Sequence, residues 1–420
     1  MIIGKLKRYN YIYMKPQHFV GIDIGTSEVR CVVGMHDPKN GHPSVIGFGS
    51  SKNHGMRRGM VVHVDEVADA IAGAVNEAER RAGVPIRMAA INVNGSHVSG
   101  IDSQGVIAIS AVNKEITAED RMRVDDAATI VNLPQNREIV QYFAKSYSLD
   151  GQKNIKDPVG MHGVRLEVDA HIVTAFTPNM KSLELAVSKA AIHPTQRSVS
   201  SLASAEAVMS RQQKEAGTLL LDIGAGTTNL IVFEDGDIQY ISVIPIGGQH
   251  ITNDLAIGLR TDLDVAEEVK LKYGTLRDTH KVASRVIKSE KSNETFISDD
   301  VKMIIEARID ELFDMIEKEL NKIKRSRKLP GGVVLTGGSA KLPGIVEYAK
   351  EKLQLSARVG KIHSIGGLVD TIEDPTYATA VGLMVLDMMM LPSLPQSSAT
   401  YGMDGAKSML KSFMGKIKKQ

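Results

Sequence analysis

Two segments of the chain carry the same chemistry. Val20-Gly21-Ile22-Asp23-Ile24-Gly25-Thr26-Ser27 returns as Leu220-Leu221-Asp222-Ile223-Gly224-Ala225-Gly226-Thr227, with Thr228 following. Each is an apolar run, an aspartate and a glycine turn set with small hydroxylated residues. Such turns let backbone N–H groups converge on an anion, and hydroxyls add donors, so both suit phosphate. A carboxylate beside phosphate is repulsive, so Asp23 and Asp222 make sense only with a divalent cation between them. Mg²⁺ keeps several waters, and carboxylates commonly reach it through those waters. One copy alone reads equally well as a plain glycine hairpin; two copies with the aspartate in the same place do not. Neither a Gly-x-x-x-x-Gly-Lys-Ser/Thr loop nor a complete dinucleotide fingerprint is present. A third segment, Gly331-Gly332-Val333-Val334-Leu335-Thr336-Gly337-Gly338-Ser339-Ala340, is a strand ending in paired glycines that permit close approach of a flat ligand or its ribose-phosphate.

The elements that must position these groups follow from periodicity and punctuation. Strands are predicted at 19–24 and 28–34 around the first turn, and at 218–222 and 229–233 around the second. A strand at 333–335 leads into the third segment. A helix is predicted over 65–82, with Val67, Ala70, Ile71 and Val75 at helical spacing, Asp65 as N-cap and Gly83 as C-cap. Another strand is predicted at 91–96. From His97 to about Thr174 the pattern changes to strands at 105–110, 138–142 and 164–174, and a helix opened by Thr117 with Asp120 in the manner of a capping box. This stretch reads as a small α+β module inserted in a larger fold. Thr177-Pro178 opens a helix, and further helices are predicted at 201–211, 248–273 and 299–324.

The bounds on function are set by composition. A chain of 420 residues implies two or more domains, and 43% apolar with 24% charged content is an ordinary globular balance. A net charge of +2 gives no general reason to bind nucleic acid. Cys31 is the only cysteine, so no intrachain disulfide forms, a reducing cytoplasm is the expected setting, and the side chain is expected to pack on a strand. The most apolar run, Ala380 to Leu391, contains Asp387 and falls well short of the ~20 residues that span a bilayer. Residues 1–17 read as an N-terminal extension without the apolar core of a signal peptide. The twelve histidines show no metal-ligand spacing, and the basic run 322–328 suits the C-terminal end of a helix dipole.

The tail makes a separate argument. After a linker at 391–405 with prolines, serines and glycines, residues 406–420 place Met409, Leu410, Phe413, Met414 and Ile417 within a helical arc of roughly 140°. Lys407, Lys411, Lys416, Lys418 and Lys419 fill the other arc, and no acid follows Asp404. That is the pattern of an interfacial helix lying on an anionic lipid surface, folding as it docks. The alternatives are a helix packed onto the body or a disordered basic end.

Two Asp-Ile-Gly loops followed by Thr336-Gly337-Gly338-Ser339 resemble the actin, Hsp70 and sugar-kinase superfamily. Within it the chain resembles the FtsA family of bacterial cell-division proteins. The resemblance rests further on Gly95-Ser96-His97-Val98-Ser99-Gly100 at the head of the inserted module and on Ser204-Ala205-Glu206-Ala207-Val208. It also rests on Gly247-Gly248 with Thr252 and Asp254, and on Ala266 to Gly274. It implies an α/β, actin-like (ribonuclease H-like) fold of two lobes with an inserted small α+β subdomain at 97–176. Lobe 1 would comprise 18–96, 177–213 and 365–390. Lobe 2 would comprise 214–246 and 326–364, with a small subdomain at 247–325.

The same resemblance assigns roles. Gly25, Thr26, Ser27, Gly224, Gly226, Thr227 and Thr228 would hold the phosphates of ATP, and Asp23 and Asp222 would organise Mg²⁺. Glu267 and Lys270 would contact ribose or adenine, with Gly337, Gly338 and Ser339 closing the base side; a solvated helix lysine is the other reading of Lys270. Glu206 is either the residue that orients an attacking water or a plain helix glutamate, so ATP binding is implied but hydrolysis, at most weak, is left open. Arg308 is either a contact for the C-terminal peptide of the tubulin-like partner FtsZ or a surface ion pair. The implied function is to form head-to-tail filaments on the cytoplasmic side of the cell membrane at the division septum, tether the FtsZ ring and recruit later division proteins. The rivals are a PilM-like pilus-assembly scaffold and a small-molecule kinase of the same superfamily.

Overall fold

The computed structural model describes residues 18–36, 43–110, 113–277, 285–292, 294–363, 365–368 and 372–390. The tail 406–420, its linker and the first seventeen residues lie outside the described residues.

Two mixed sheets repeat one plan. In the first, β1 (His18–Ile24) pairs antiparallel with β2 (Glu28–His36) and parallel with β4 (Met88–Val93). With β3 (Pro43–Lys52) and β9 (His193–Val199), the order is β9-β4-β1-β2-β3, and Gly366–Gly367 pairs with the far edge of β3. In the second sheet, β10 (Thr218–Ile223) pairs antiparallel with β11 (Thr228–Glu234) and parallel with β13 (Gly332–Thr336). Its order is β12-β11-β10-β13-β14, with β12 at Asp237–Ile244 and β14 at Ala357–Val359. Apart from Asp23 and Asp222 near their ends, the central strands are largely apolar because both faces are covered, as in Phe19, Val20, Ile22 and Ile24. The repeat seen in the sequence is thus a repeat of topology.

Helices cover the faces. α1 (Val64–Ala82) lies against β2 and β3. α4 (Ser200–Val208) and α9 (Ala378–Met389) pack on each other, with α9 also against β1. α9 is the apolar run that carries Asp387; it is a core helix, and Asp387 accepts from Val20 N at 3.0 Å and from Thr195 Oγ1. Among the described residues no helix is long and apolar enough to cross a membrane. The second sheet carries α5 (Gly248–Leu259), α6 (Leu263–Tyr273), α7 (Ser298–Lys322) and α8 (Ile345–Leu353). Cys31 is fully buried on β2, and burial pushes its thiol well above the usual range, so it packs and does no chemistry.

The inserted module is a four-stranded antiparallel sheet in the order β5-β8-β6-β7, formed by Ser99–Ala108, Arg165–Phe176, Arg137–Leu149 and Gln152–Ile155. One helix, α2 (Ala118–Ala128), lies on it, opened by the Thr117–Asp120 capping box. A thirteen-residue strand therefore stands where a five-residue one is read from the sequence. At the module's root, Arg137 donates to His97 O at 3.0 Å, Ser99 Oγ at 2.6 Å and Thr174 O at 3.1 Å. His97 is buried beside this guanidinium. Burial first, and the Arg137 charge second, lower its pKa from 6.5 to about 4. Between those values the unfolded chain takes up a proton that the folded chain refuses. Stability is therefore complete above pH 6.5 and falls as pH drops toward 4, by about 3 kcal/mol at most. Urea midpoints across that range should show a smaller loss in His97→Asn than in the native chain.

Several boundaries differ from the sequence reading. α1 begins at Val64 with His63 as N-cap, and Asp65 lies in the first turn, where it favours the helix dipole; the Gly83 cap stands at φ 69°. The helix opened by Thr177-Pro178 (α3, Thr177–Lys189) has Phe176 as its cap, and α4 stops at Val208. β3, β9 and β12 were not expected. β9 is a polar edge strand containing Pro194, which only an edge tolerates. β12 follows an Asp235-Gly236 turn with both residues at positive φ, a hairpin signal present in the sequence.

Candidate functional site

The two aspartate hairpins are built alike and face each other. Gly25 N donates to Glu28 O at 3.2 Å and Gly224 N to Thr227 O at 2.9 Å, closing equivalent turns. Asp23 lies across the ladder from Arg30, and Asp222 across from Asn229. The turns meet at Gly226, where a Cβ would lie 2.6 Å from Thr26 Oγ1 and 3.1 Å from Arg58 Cα. Gly59 N donates to that same Thr26 hydroxyl at 3.0 Å, and Asn94 Nδ2 reaches Thr227 Oγ1 at 3.1 Å. The loops of the two lobes therefore share one cleft.

The aspartates feel each other. Burial, with Asp222 and Glu28 adding to it, raises the Asp23 pKa from 3.8 to about 7 against the opposing pull of Arg30. Asn92 Nδ2 donates to Asp23 Oδ1 at 2.7 Å while its Oδ1 accepts from Ile24 N, so this amide fixes the carboxylate on its strand. Burial also raises the pKa of Asp222, offset by hydroxyls and by Asn229. Ser204 Oγ on α4 donates to Asp222 Oδ2 at 3.0 Å and Thr379 Oγ1 on α9 at 3.2 Å. A pair of crowded carboxylates held against ionisation cost is a fitting surround for a divalent cation. Among the described residues no group of three or more His, Cys, Asp or Glu could hold a metal. Two carboxylates alone are an incomplete ligand set, and they would suit an ion whose other ligands were phosphate and water.

The Gly337 turn and the start of α5 come together on the second lobe. Gly337 stands at φ 83° and ψ 173°, and a Cβ there would lie 2.5 Å from Asp222 Oδ1. Gly248 N donates to Gly224 O at 2.9 Å and Gln249 N to Ala225 O at 2.8 Å, stapling the start of α5 to the second loop. Lys270 reaches back from α6 to Gly248 O at 3.1 Å, Thr252 Oγ1 at 2.8 Å and Glu267 Oε2 at 2.6 Å. Its side chain is only 13% exposed, so it is no solvated surface lysine. A Cβ on Gly248 would lie 2.7 Å from Ser339 Oγ, which brings that residue into the same group.

Two candidate residues, Glu206 and Arg308, are engaged in ion pairs. Glu206 pairs with Lys214 at 2.6 Å on the face of α4 away from Asp222. Successive residues turn by 100°, so Ser204 and Glu206 point in nearly opposite directions, and Ser204 is the one in the cleft. That pairing favours the plain helix-glutamate alternative for Glu206. Arg308 spends its guanidinium on Asp254, with Nη2–Oδ1 at 2.8 Å, and on Glu311. That is the ion-pair alternative, and it also removes Asp254 from the nucleoside segment. The tail residues lie outside the described residues. Conversely, Asn92, Asn94, Ser204 and Thr379 were missed as site residues. The signal for Ser204 was the set of small residues Ser200, Ser201, Ala203 and Ala205 around it, which permits close packing.

Comparison with known proteins fits this geometry. A model of "Cell division protein FtsA" matches residues 219–382, and a model of the "SHS2 domain inserted in FTSA" matches 95–174. The cell division protein FtsA of Pseudomonas aeruginosa is 34% identical over 396 residues, 93% of this chain and 94% of that one. FtsA of Bacillus subtilis is 36% identical over 370 residues, 87% of this chain and 82% of that one. The chain belongs to the FtsA family of cell-division proteins. Solved structures at lower identity share its fold. A PilM–PilN type IV pilus biogenesis complex matches with a TM-score of 0.64 at 17% identity, covering 89% of this chain and 99% of that one. MreB5 of Spiroplasma citri bound to AMPPNP matches with a TM-score of 0.53 at 13% identity, covering 90% and 97%. An actin-like two-lobed fold with the FtsA insertion is thereby established, and the full-length FtsA relatives set aside the pilus-scaffold and small-molecule-kinase readings.

Proposed function

We propose that this FtsA-family chain binds ATP with Mg²⁺ between its two aspartate hairpins and, so loaded, assembles head to tail on the cytoplasmic face of the membrane. There it tethers the FtsZ ring and recruits later division proteins. The observation that carries the nucleotide reading is the convergence of Asp23 and Asp222 on one cleft beside the Gly337 turn. Gly25, Thr26 and Ser27 would donate to phosphate from one wall and Gly224, Gly226, Thr227 and Thr228 from the other. Mg²⁺ would neutralise the phosphate charge beside Asp23 and Asp222. Gly338 and Ser339 would border the base, with Glu267 and Lys270 toward the ribose. A ligand that touches both lobes favours their closure, and closed subunits can present complementary ends for a heterologous, open-ended contact. Residues 406–420 would supply the lipid contact. A role for Arg308 toward the FtsZ peptide would require it to exchange its bonds to Asp254 and Glu311. Hydrolysis is not part of the proposal.

The test is calorimetric titration with Mg·ATP. Asp222→Ala leaves Ser204 and Thr379 bonded to each other at 2.8 Å, so the fold keeps its hydroxyl pair. Affinity should fall about 10- to 100-fold, the usual cost of removing an outer-shell partner of a metal. Native affinity in this variant sinks the site. Lys270→Met keeps the aliphatic stem while removing the charge. It should weaken ATP about tenfold at the nucleoside end and leave the Mg²⁺ requirement unchanged, which separate titrations with and without the metal would show.

A further inference from the structure

A second concavity lies on the far side of lobe 1 from the cleft. It is a groove of about 580 Å³ between β6 of the inserted module, β9, α3, α4 and the end of α9. Two strand edges face each other across it. β9 ends the six-stranded sheet, and the first half of β6 pairs only with β8 among the described strands. Gln141 Oε1 accepts from Val199 N at 2.9 Å and ties the two edges together at one point. The floor is apolar, with Ile139, Leu202, Leu386 and Met389 contributing. Glu138, Glu184 and Glu206 also line it; Arg197 pairs with Glu184 and lies 4.0 Å from Glu138, and Lys214 pairs with Glu206, which leaves three acids against two cations.

The chain itself supplies an occupant of matching chemistry. α9 ends at the groove, and Met390, the last residue described there, is part of its lining. Residues 391–405 span at most about 3.3–3.6 Å each, so residue 406, where the tail segment begins, is held within about 50–54 Å of the groove. Short tethers of this kind give effective concentrations in the millimolar range. The segment 406–420 carries five lysines and no acid, against a lining with more acids than cations. The volume lies within the ~300–1,000 Å³ of ordinary ligand pockets, enough for a few large side chains but not a whole helix.

We propose that the apolar face of residues 406–420 docks in this groove in the absence of membrane, with side chains such as Leu410, Phe413 and Met414 entering it. The same face then serves two exclusive surfaces, the groove and the lipid. Docking stands on the groove and the tail sequence; its consequence for membrane attachment rests on the lipid reading above. A tail docked nine-tenths of the time weakens vesicle affinity about tenfold, because only the free fraction binds.

The protein contains no tryptophan, so Phe413→Trp in the full chain gives a single reporter. Without lipid, its emission should be blue-shifted and shielded from acrylamide, equally so on dilution. Ile139→Lys, and separately Met389→Lys, should each expose it and strengthen binding to anionic phosphatidylglycerol vesicles up to tenfold, with melting curves confirming that each variant is folded. An exposed reporter in the lipid-free chain overturns docking, as does shielding that both lysine variants leave intact. Shielding lost on dilution also overturns it, since the occupant is then a second copy. The lipid reading fails separately: a shielded reporter that becomes exposed in the lysine variants, while none of the proteins binds vesicles, keeps docking and sinks membrane attachment.

Discussion

Gly337→Ala is expected to weaken ATP binding at least tenfold and lower the melting temperature, while Gly338→Ala, one residue on, binds ATP within about twofold of the native chain. The two glycines look interchangeable in sequence, yet the structure gives them opposite constraints. Gly337 stands at φ 83° and ψ 173°, a region open essentially to glycine alone, where a side chain costs about 1–3 kcal/mol in strain. Its Cβ would also lie 2.5 Å from Asp222 Oδ1 and 2.7 Å from Ile223 O. The carbonyl belongs to a strand locked on both sides by β11 and β13, so it cannot give way. The turn must move instead, and it carries Gly338 and Ser339 with it and displaces the carboxylate. Gly338 has no positive φ, and its Cβ would meet only Thr376 Cγ2 at 3.7 Å, an ordinary contact. Gly337→Arg adds bulk to the same fault and should abolish measurable binding. Calorimetry on the three variants decides the matter: equal affinities for Gly337→Ala and Gly338→Ala would show that this turn does not border the nucleotide.

The sequence reveals the parts of the site that are local and repeated. Asp23 and Asp222 announce themselves because each sits at a fixed offset from a glycine turn, and two copies exclude a chance hairpin. The Thr117–Asp120 cap is visible for the same reason, since its chemistry closes within three residues. What escapes is what comes from a distance. Thr379 reaches Asp222 from 157 positions away, and Asn94 reaches Thr227 from 133. Nothing in a single sequence pairs them. Arg308 is a case of the opposite kind. The family resemblance suggests a partner contact there, but Asp254, 54 positions earlier, already holds the guanidinium. Glu206 belongs with what escapes: only once Ser204 is seen on Asp222 does the helix geometry turn Glu206 away.

Deleting residues 406–420 should abolish binding to anionic vesicles while leaving Mg·ATP affinity at the native value. Two forces act on the segment, and each can be removed alone. Five lysines near an anionic surface contribute on the order of 1 kcal/mol apiece, together about 5 kcal/mol or more than a thousandfold in affinity. Five apolar side chains add insertion energy, of which part is offset by folding a helix too short to persist in water. Neutral vesicles remove the first force; Phe413→Asp, which places a charge in the apolar arc, removes much of the second. Each alone should weaken sedimentation with vesicles strongly, and raising salt should mimic the first because surface attraction is screened. A single tail with one aromatic residue and no tryptophan would be a modest anchor. Tails arrayed on one filament would act together, so vesicle binding should strengthen under conditions that promote assembly. Unchanged vesicle binding by the truncated chain would move the anchor elsewhere and leave the cleft chemistry untouched, since the cleft is built entirely from residues before Met390.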